Sequence, residues 1–319
     1  MFKGYIGNTD ARWFEFLRGI SSEPGGATPH VLEEVNFWKP SARAFKVIEP
    51  GAPYFFRLKA PHRRIGGFGI FARYVELPDW MAWDAFGKAN GAARRQDFVA
   101  LLDQYRGTDD AGALEGAGVR TVGCTLLTEA VFFPDELHIL EPKGWANEIV
   151  SGKSIDLAAG EGLRIWTTAL TASRAVQARV AALLPRGREN LPPLLSAAEP
   201  SERFGPPRLV APRLGQGTFR VAVMEAYERA CAVTTEHSLP VLQAAHIKPY
   251  AEGGPHETAN GLFLRSDLHA LFDLGYLTVS NDHRLELSRR LREDYGNGRA
   301  YEALHGKLIQ LPHRFEDRP

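Results

Sequence analysis

Two histidines, an asparagine and an aspartate in the last third of this 319-residue chain have the types and spacing to hydrolyse a phosphodiester. An apolar run, Leu242-Gln243-Ala244-Ala245, ends in His246. A loop containing glycine and proline follows, Asn260 closes it, and a short segment beyond carries His269 and Asp273. His246 and Asn260 are 14 positions apart, and Asn260 and His269 are 9 apart. Cutting a phosphodiester with water requires a group that takes the water's proton near neutral pH, and imidazole has a suitable pKa. His246, at a strand end facing a loop, can be that base. Asn260 can hold the loop over it by bonding backbone or the other imidazole nitrogen. The leaving oxygen needs a cation. His269 can ligate one, and Asp273, one helical turn on, shares its face and makes the grip two-pointed.

The segment that carries His269 and Asp273 reads as a short helix. Ser266 or Asp267 can cap the helix, Gly275 can end it, and Leu268, Leu271 and Phe272 supply its buried side. His-Asn-His at this spacing, inside these apolar segments, resembles the HNH nucleases. The resemblance implies a C-terminal ββα-metal domain with Mg²⁺, Mn²⁺ or another divalent metal as cofactor. In it His246 falls on the general base, Asn260 on the middle asparagine and His269 on the metal ligand. Asp273 falls where some members carry another histidine. The sequence departs from the family pattern at Ala245, where many members place a metal-binding Asp or His. Asp273 then matters more, or a water or phosphate oxygen takes that place. Paired CxxC motifs, which hold zinc in many members, are missing, since the chain has only Cys124 and Cys231. A lone histidine on a strand is usually structural, but three polar residues at family spacing weigh against that reading.

The whole chain balances 38 Lys and Arg against 38 Asp and Glu. Any nucleic-acid surface must therefore come from local clusters such as Arg63-Arg64, Arg94-Arg95 or 284–292, each of which is more often a solvated face. Distant cysteines fit a reducing compartment, and neither a signal-peptide core nor a membrane-length apolar run is evident. A cytoplasmic protein without membrane contact is expected.

The length allows two domains. Residues 1–171 read as one α+β unit: a helix opening near Asp10, a loop or short strand at 34–40, strands at 54–59, 66–75 and 120–127, and helices at 80–86 and 95–105. Short strands broken by glycine turns suggest a small mixed β-barrel. Residues 172–216 begin as a helix at 173–184 and continue as a proline-rich linker. Residues 217–319 form the domain carrying the histidines, starting with an amphipathic helix at 219–230.

The first unit is similar to the PUA-like superfamily, and within it to the EVE-like domains, through its early helix, Asn36-Phe37-Trp38-Lys39-Pro40-Ser41, the glycine-led strand and the region of Trp145 and Gly152-Lys153-Ser154. Relatives there, including SRA domains, hold a flipped modified base in an aromatic pocket. The expected pocket has Trp38 and Phe68 or Phe71 stacking on the base, with Asn36 and Ser41 bonding its edge. Phe45, Phe55, Phe56 and Trp166 read as core, and Trp38 fits core and pocket equally. Such domains joined to HNH domains resemble modification-dependent restriction endonucleases. The implied partner is double-stranded DNA with modified cytosine. HNH sites cut one strand each, so a double-strand break implies a homodimer. Phosphorothioate DNA, plain sequence or RNA are alternative ligands, and a binding module inactivated at Ala245 is an alternative of another class.

Overall fold

The structure is a computed structural model that describes residues 2–22, 31–40, 47–105, 120–183, 214–296 and 298–319. It is α+β and divides into two compact units, Met1–Gly215 and Gln216–Pro319.

The first unit runs β1 (Lys3–Thr9), α1 (Ala11–Ser21), β2 (Val31–Lys39), β3 (Pro53–Leu58), β4 (Arg64–Pro78), α2 (Asp79–Phe86), α3 (Arg95–Tyr105), β5 (Thr121–Phe132), β6 (Ile139–Leu140), β7 (Gly152–Asp156) and α4 (Gly160–Leu183). Its sheet has the order β2-β5-β4-β3-β1-β7, with β6 beside β4. The β1–β3 pair is parallel. The other pairs are antiparallel.

β2 and β7 stay at opposite ends of this order, so the expected barrel is not closed. The reason lies in how β3 is buried. Successive strand residues point to opposite faces. Tyr54 and Phe56 pack with Trp13, Phe14 and Leu17 of α1, while Phe55 packs with Ile165, Trp166 and Ala169 of α4. A helix on each face buries β3 along its whole length without the sheet closing on itself. Each such aromatic contributes roughly 1.5–3 kcal/mol by leaving water.

Two sequence expectations change here. Residues 34–39 belong to a full strand, Val31–Lys39, because β5 supplies an antiparallel partner along it. The helix expected at 173–184 starts at Gly160, and α4 includes position 171. Gly160 and Gly162 hide its start, since glycine disfavours helix. Ser41, Phe45 and the proline-rich stretch at 185–212 lie outside the described residues.

The second unit runs α5 (Gln216–Ala226), β8 (Leu242–His246), β9 (Gly261–Arg265), α6 (Ser266–Asp273), β10 (Leu277–Val279), β11 (Leu285–Leu287), α7 (Arg290–Tyr295) and α8 (Arg299–Glu302). α5 stops before the expected residue 230 because Glu228 and Arg229 turn the chain at φ 53° and 61°. β8 and β9 are antiparallel, with His246 opposite Gly261. A Cβ on Gly261 would sit 2.3 Å from the Val223 side chain of α5. The helix therefore seats on the hairpin only because residue 261 lacks a side chain. No helix among the described residues is long and apolar enough to cross a membrane.

Candidate active site and base cavity

β8 ends at His246, and β9 leads directly into α6, which carries His269 and Asp273. Between the strands, Asn260 ties down the loop. Its Oδ1 accepts from the Lys248 N–H at 2.9 Å, and its Nδ2 donates to the carbonyls of Lys248 (3.0 Å) and Pro255 (2.9 Å). All these partners are backbone, so one side chain adds to the loop's own backbone hydrogen bonds, such as Gly254 N–H to the Pro249 carbonyl at 3.0 Å.

His246 is half-buried and lies face to face with Phe219 of α5, ring centres 4.0 Å apart at 16°. Its Nε2 is 3.0 Å from Nδ1 of His256, a loop residue that the sequence reading passed over. Tyr250 stacks on His256 in turn, at 4.3 Å and 14°. Burial holds the His246 imidazole below its ordinary pKa, helped by repulsion from His256 and His269 and opposed by Asp273. His246 is thus biased toward the neutral form that a base requires.

On α6, His269 Nε2 is 3.2 Å from Asp273 Oδ2. His269 Nδ1 is 2.8 Å from Gln243 Oε1 on β8. An amide oxygen only accepts, so Nδ1 is the nitrogen that donates here, and Nε2 is the one on the carboxylate side. One nitrogen and one carboxylate oxygen on one helix face suit a divalent ion. Among the described residues no group of three His, Cys, Asp or Glu converges as a metal site. His269 and Asp273 could supply two donors, which suits an ion such as Mg²⁺ that keeps several waters and takes phosphate oxygens. Ala245 is fully buried opposite Leu262, so that position serves packing. Neither Ser266 nor Asp267 caps α6: Asp267 is held by Arg265 at 2.6 Å, and the N-cap residue is Arg265 itself. Gly275, at φ 72°, follows the helix end.

In the first unit a cavity of about 270 Å³ is lined by Asn8, Asp10, Phe37, Trp38, Lys39, Lys59 and Tyr105, among others. Trp38 Nε1 donates to the Asn90 carbonyl at 2.8 Å, and its ring meets Phe98 edge-on at 5.5 Å. Tyr105 donates to Asp10, whose other oxygen caps α1 by accepting from Arg12 N–H. Burial lowers the pKa of Lys39.

Three of the other expected pocket residues, Asn36, Phe68 and Phe71, lie elsewhere. Asn36 is fully buried and donates to Asn90 Oδ1 at 2.9 Å. Phe68 is buried with Phe55 and Trp166 on the α4 face. Phe71 is buried in the core of the α1 face. Neither phenylalanine lines the cavity, because strand neighbours and the two covering helices enclose both rings. Asn8, Asp10, Lys59 and Tyr105 were missed as lining residues. Asn8 and Asp10 read in sequence as helix caps, and nothing local brings Tyr105 to them.

Residues 231–280 match the HNH endonuclease family. The second unit therefore carries an HNH endonuclease domain, which fits a nuclease acting on DNA. No curated protein matches the chain. Among solved structures, the first unit is similar to the ASCH protein of Zymomonas mobilis. The crystal structure of that protein has 13% identity and a TM-score of 0.32, covering 51% of this chain and 94% of that one. A point mutant of the same protein gives the same identity and score, covering 51% and 96%.

Proposed function

We propose that the chain is a metal-dependent DNA endonuclease, a restriction enzyme directed to DNA with 5-methylcytosine or 5-hydroxymethylcytosine by its first unit. The observation that carries the nuclease half is the position of His246. It sits at the mouth of an asparagine-pinned loop, in an environment that keeps it neutral, beside a helix presenting His269 and Asp273. His246 takes the proton of the attacking water, and Asn260 keeps the loop in place while it does so. His269 and Asp273 would hold Mg²⁺ or Mn²⁺, which when bound supplies positive charge to the phosphate and the leaving oxygen.

The targeting half is supported by the aromatic cavity with polar groups at its rim. Among the aromatic residues that line it, Trp38 has its ring held by a hydrogen bond to the Asn90 carbonyl. A base flipped from duplex DNA can stack there, and stacking on an aromatic is worth about 1–3 kcal/mol. Trp38→Ala should therefore weaken binding to modified duplex by roughly five- to 150-fold and binding to plain duplex far less. The test is a pair of binding curves at one fixed salt, with digestion of matched plasmids carrying cytosine, either modified cytosine, or phosphorothioate. Equal binding of modified and plain duplex by the wild type rejects modified-base targeting.

A further inference from the structure

A second cavity in the first unit, about 480 Å³, is lined by His62, Arg63, Arg64, Glu141, Lys143 and Arg164. It lies where the turn from β3 to β4 meets the segment after β6 and the start of α4. The turn is held tightly: the Lys59 carbonyl accepts from the His62 and Arg63 N–H groups at 3.1 and 3.4 Å. Arg63 sits at φ 47°, a left-handed conformation that a non-glycine residue adopts at a cost. The result is three consecutive basic side chains on one exposed turn.

The charges in this cleft do not balance. Glu141 is occupied by Arg57 at 2.5 Å, and Glu161 by Arg164 at 2.8 Å. Arg63 and Arg64 have no carboxylate partner among the described residues. Lys143 adds a third cation next to the Arg164–Glu161 pair, through its backbone bond to Glu161 at 3.2 Å. Uncompensated cations crowded in one concavity repel each other, and a polyanion relieves that repulsion.

The cleft and the aromatic cavity are joined by one buried side chain. Arg57 donates to Asn8 Oδ1, on the cavity wall, at 2.7 Å, and to Glu141, on the cleft wall, at 2.9 Å. Its guanidinium lies over Trp145 at 4.6 Å, fixing its plane. Lys59 lines the cavity only three residues before His62 lines the cleft.

We propose that this cleft binds the phosphate backbone of duplex DNA next to the cavity, with Arg63, Arg64 and Lys143 reaching the phosphates. The choice of DNA as the polyanion rests on the function proposed above; the charge argument does not. Such interactions carry no sequence information, but they hold the duplex while a neighbouring nucleotide enters the cavity.

The test uses the full chain carrying Arg63→Gln, Arg64→Gln and Lys143→Gln, with EDTA present so that nothing is cut. Binding to short plain and modified duplexes is followed across a salt series. The slope of log affinity against log salt should fall by roughly 0.9 for each phosphate interaction removed, and both duplexes should weaken alike. The charge-preserving Arg63→Lys, Arg64→Lys variant should keep the wild-type slope. If the triple variant fails to fold, the three single variants, all at exposed positions, should each lower the slope by about one. An unchanged slope overturns the proposal, as does a loss confined to modified duplex. A loss with single-stranded RNA but not with duplex DNA assigns the cleft to RNA and overturns it as well. Wild-type binding that ignores modification would reject modified-base targeting while leaving this site standing.

Discussion

His246 loses its proton more readily than a free imidazole, chiefly because it is buried against Phe219 and secondarily because His256 and His269 are near. A base works only when neutral, so its depressed pKa extends activity toward acid. Nicking should persist below the ordinary imidazole pKa of about 6.5. His256→Ala removes one source of repulsion and admits water, and both effects raise the His246 pKa. The acid limb of the pH–rate profile should then move to higher pH, as a series of nicking rates would show. A limb that stays in place separates His256 from the chemistry. Gln243 acts differently: its amide oxygen accepts from His269 Nδ1, which would leave Nε2 as the nitrogen for a metal. Asp273→Ala should raise the Mg²⁺ concentration needed for half-maximal nicking, and an unchanged titration would make Asp273 a surface residue.

The hairpin and α6 form a frame that the loop alone could not keep. Asn260 makes three hydrogen bonds to loop backbone, each worth about 0.5–1.5 kcal/mol net. Asn260→Ala should lower the nicking rate by at least about tenfold while circular dichroism stays native, because a positioning group is removed rather than a core one. Wild-type activity in that variant would make the loop's shape irrelevant. Much of this element is legible in the sequence, since His246, Asn260, His269 and Gly275 sit at spacings set by strand, loop and helix. Gln243 and His256 are not. Their partners lie 26 and 10 residues away, and such pairings follow from strand register and loop path rather than local pattern. In the first unit β3 shows the same limit. Its run of aromatics announces a strand, but only the helices on both faces explain why Phe55 and Phe56 are both buried and why Phe68 never reaches a pocket.

At the scale of the molecule, an equal count of acids and bases conceals an uneven distribution, with Arg63 and Arg64 gathered at one turn where the carboxylate of the same cleft, Glu141, is paired with Arg57 instead. The division into Met1–Gly215 and Gln216–Pro319 puts the aromatic cavity in one unit and His246 and His269 in the other. Residues 216–319 expressed alone should fold and nick DNA with metal, without preference for modified cytosine. A thermal melt and nicking of plain and modified plasmids would check this. A fragment that folds and keeps the preference would move the reader of modification into the second unit.

The most direct measurement of the central claim is nicking of supercoiled plasmid, plain and modified, by the full chain and by His246→Ala, each with Mg²⁺ or Mn²⁺ and with EDTA. The account predicts metal-dependent nicking by the wild type and a loss of roughly 10²–10⁴-fold in the variant, the usual worth of a general base. Cutting by His246→Ala within about tenfold of wild type, or wild-type cutting that EDTA leaves intact, would contradict it.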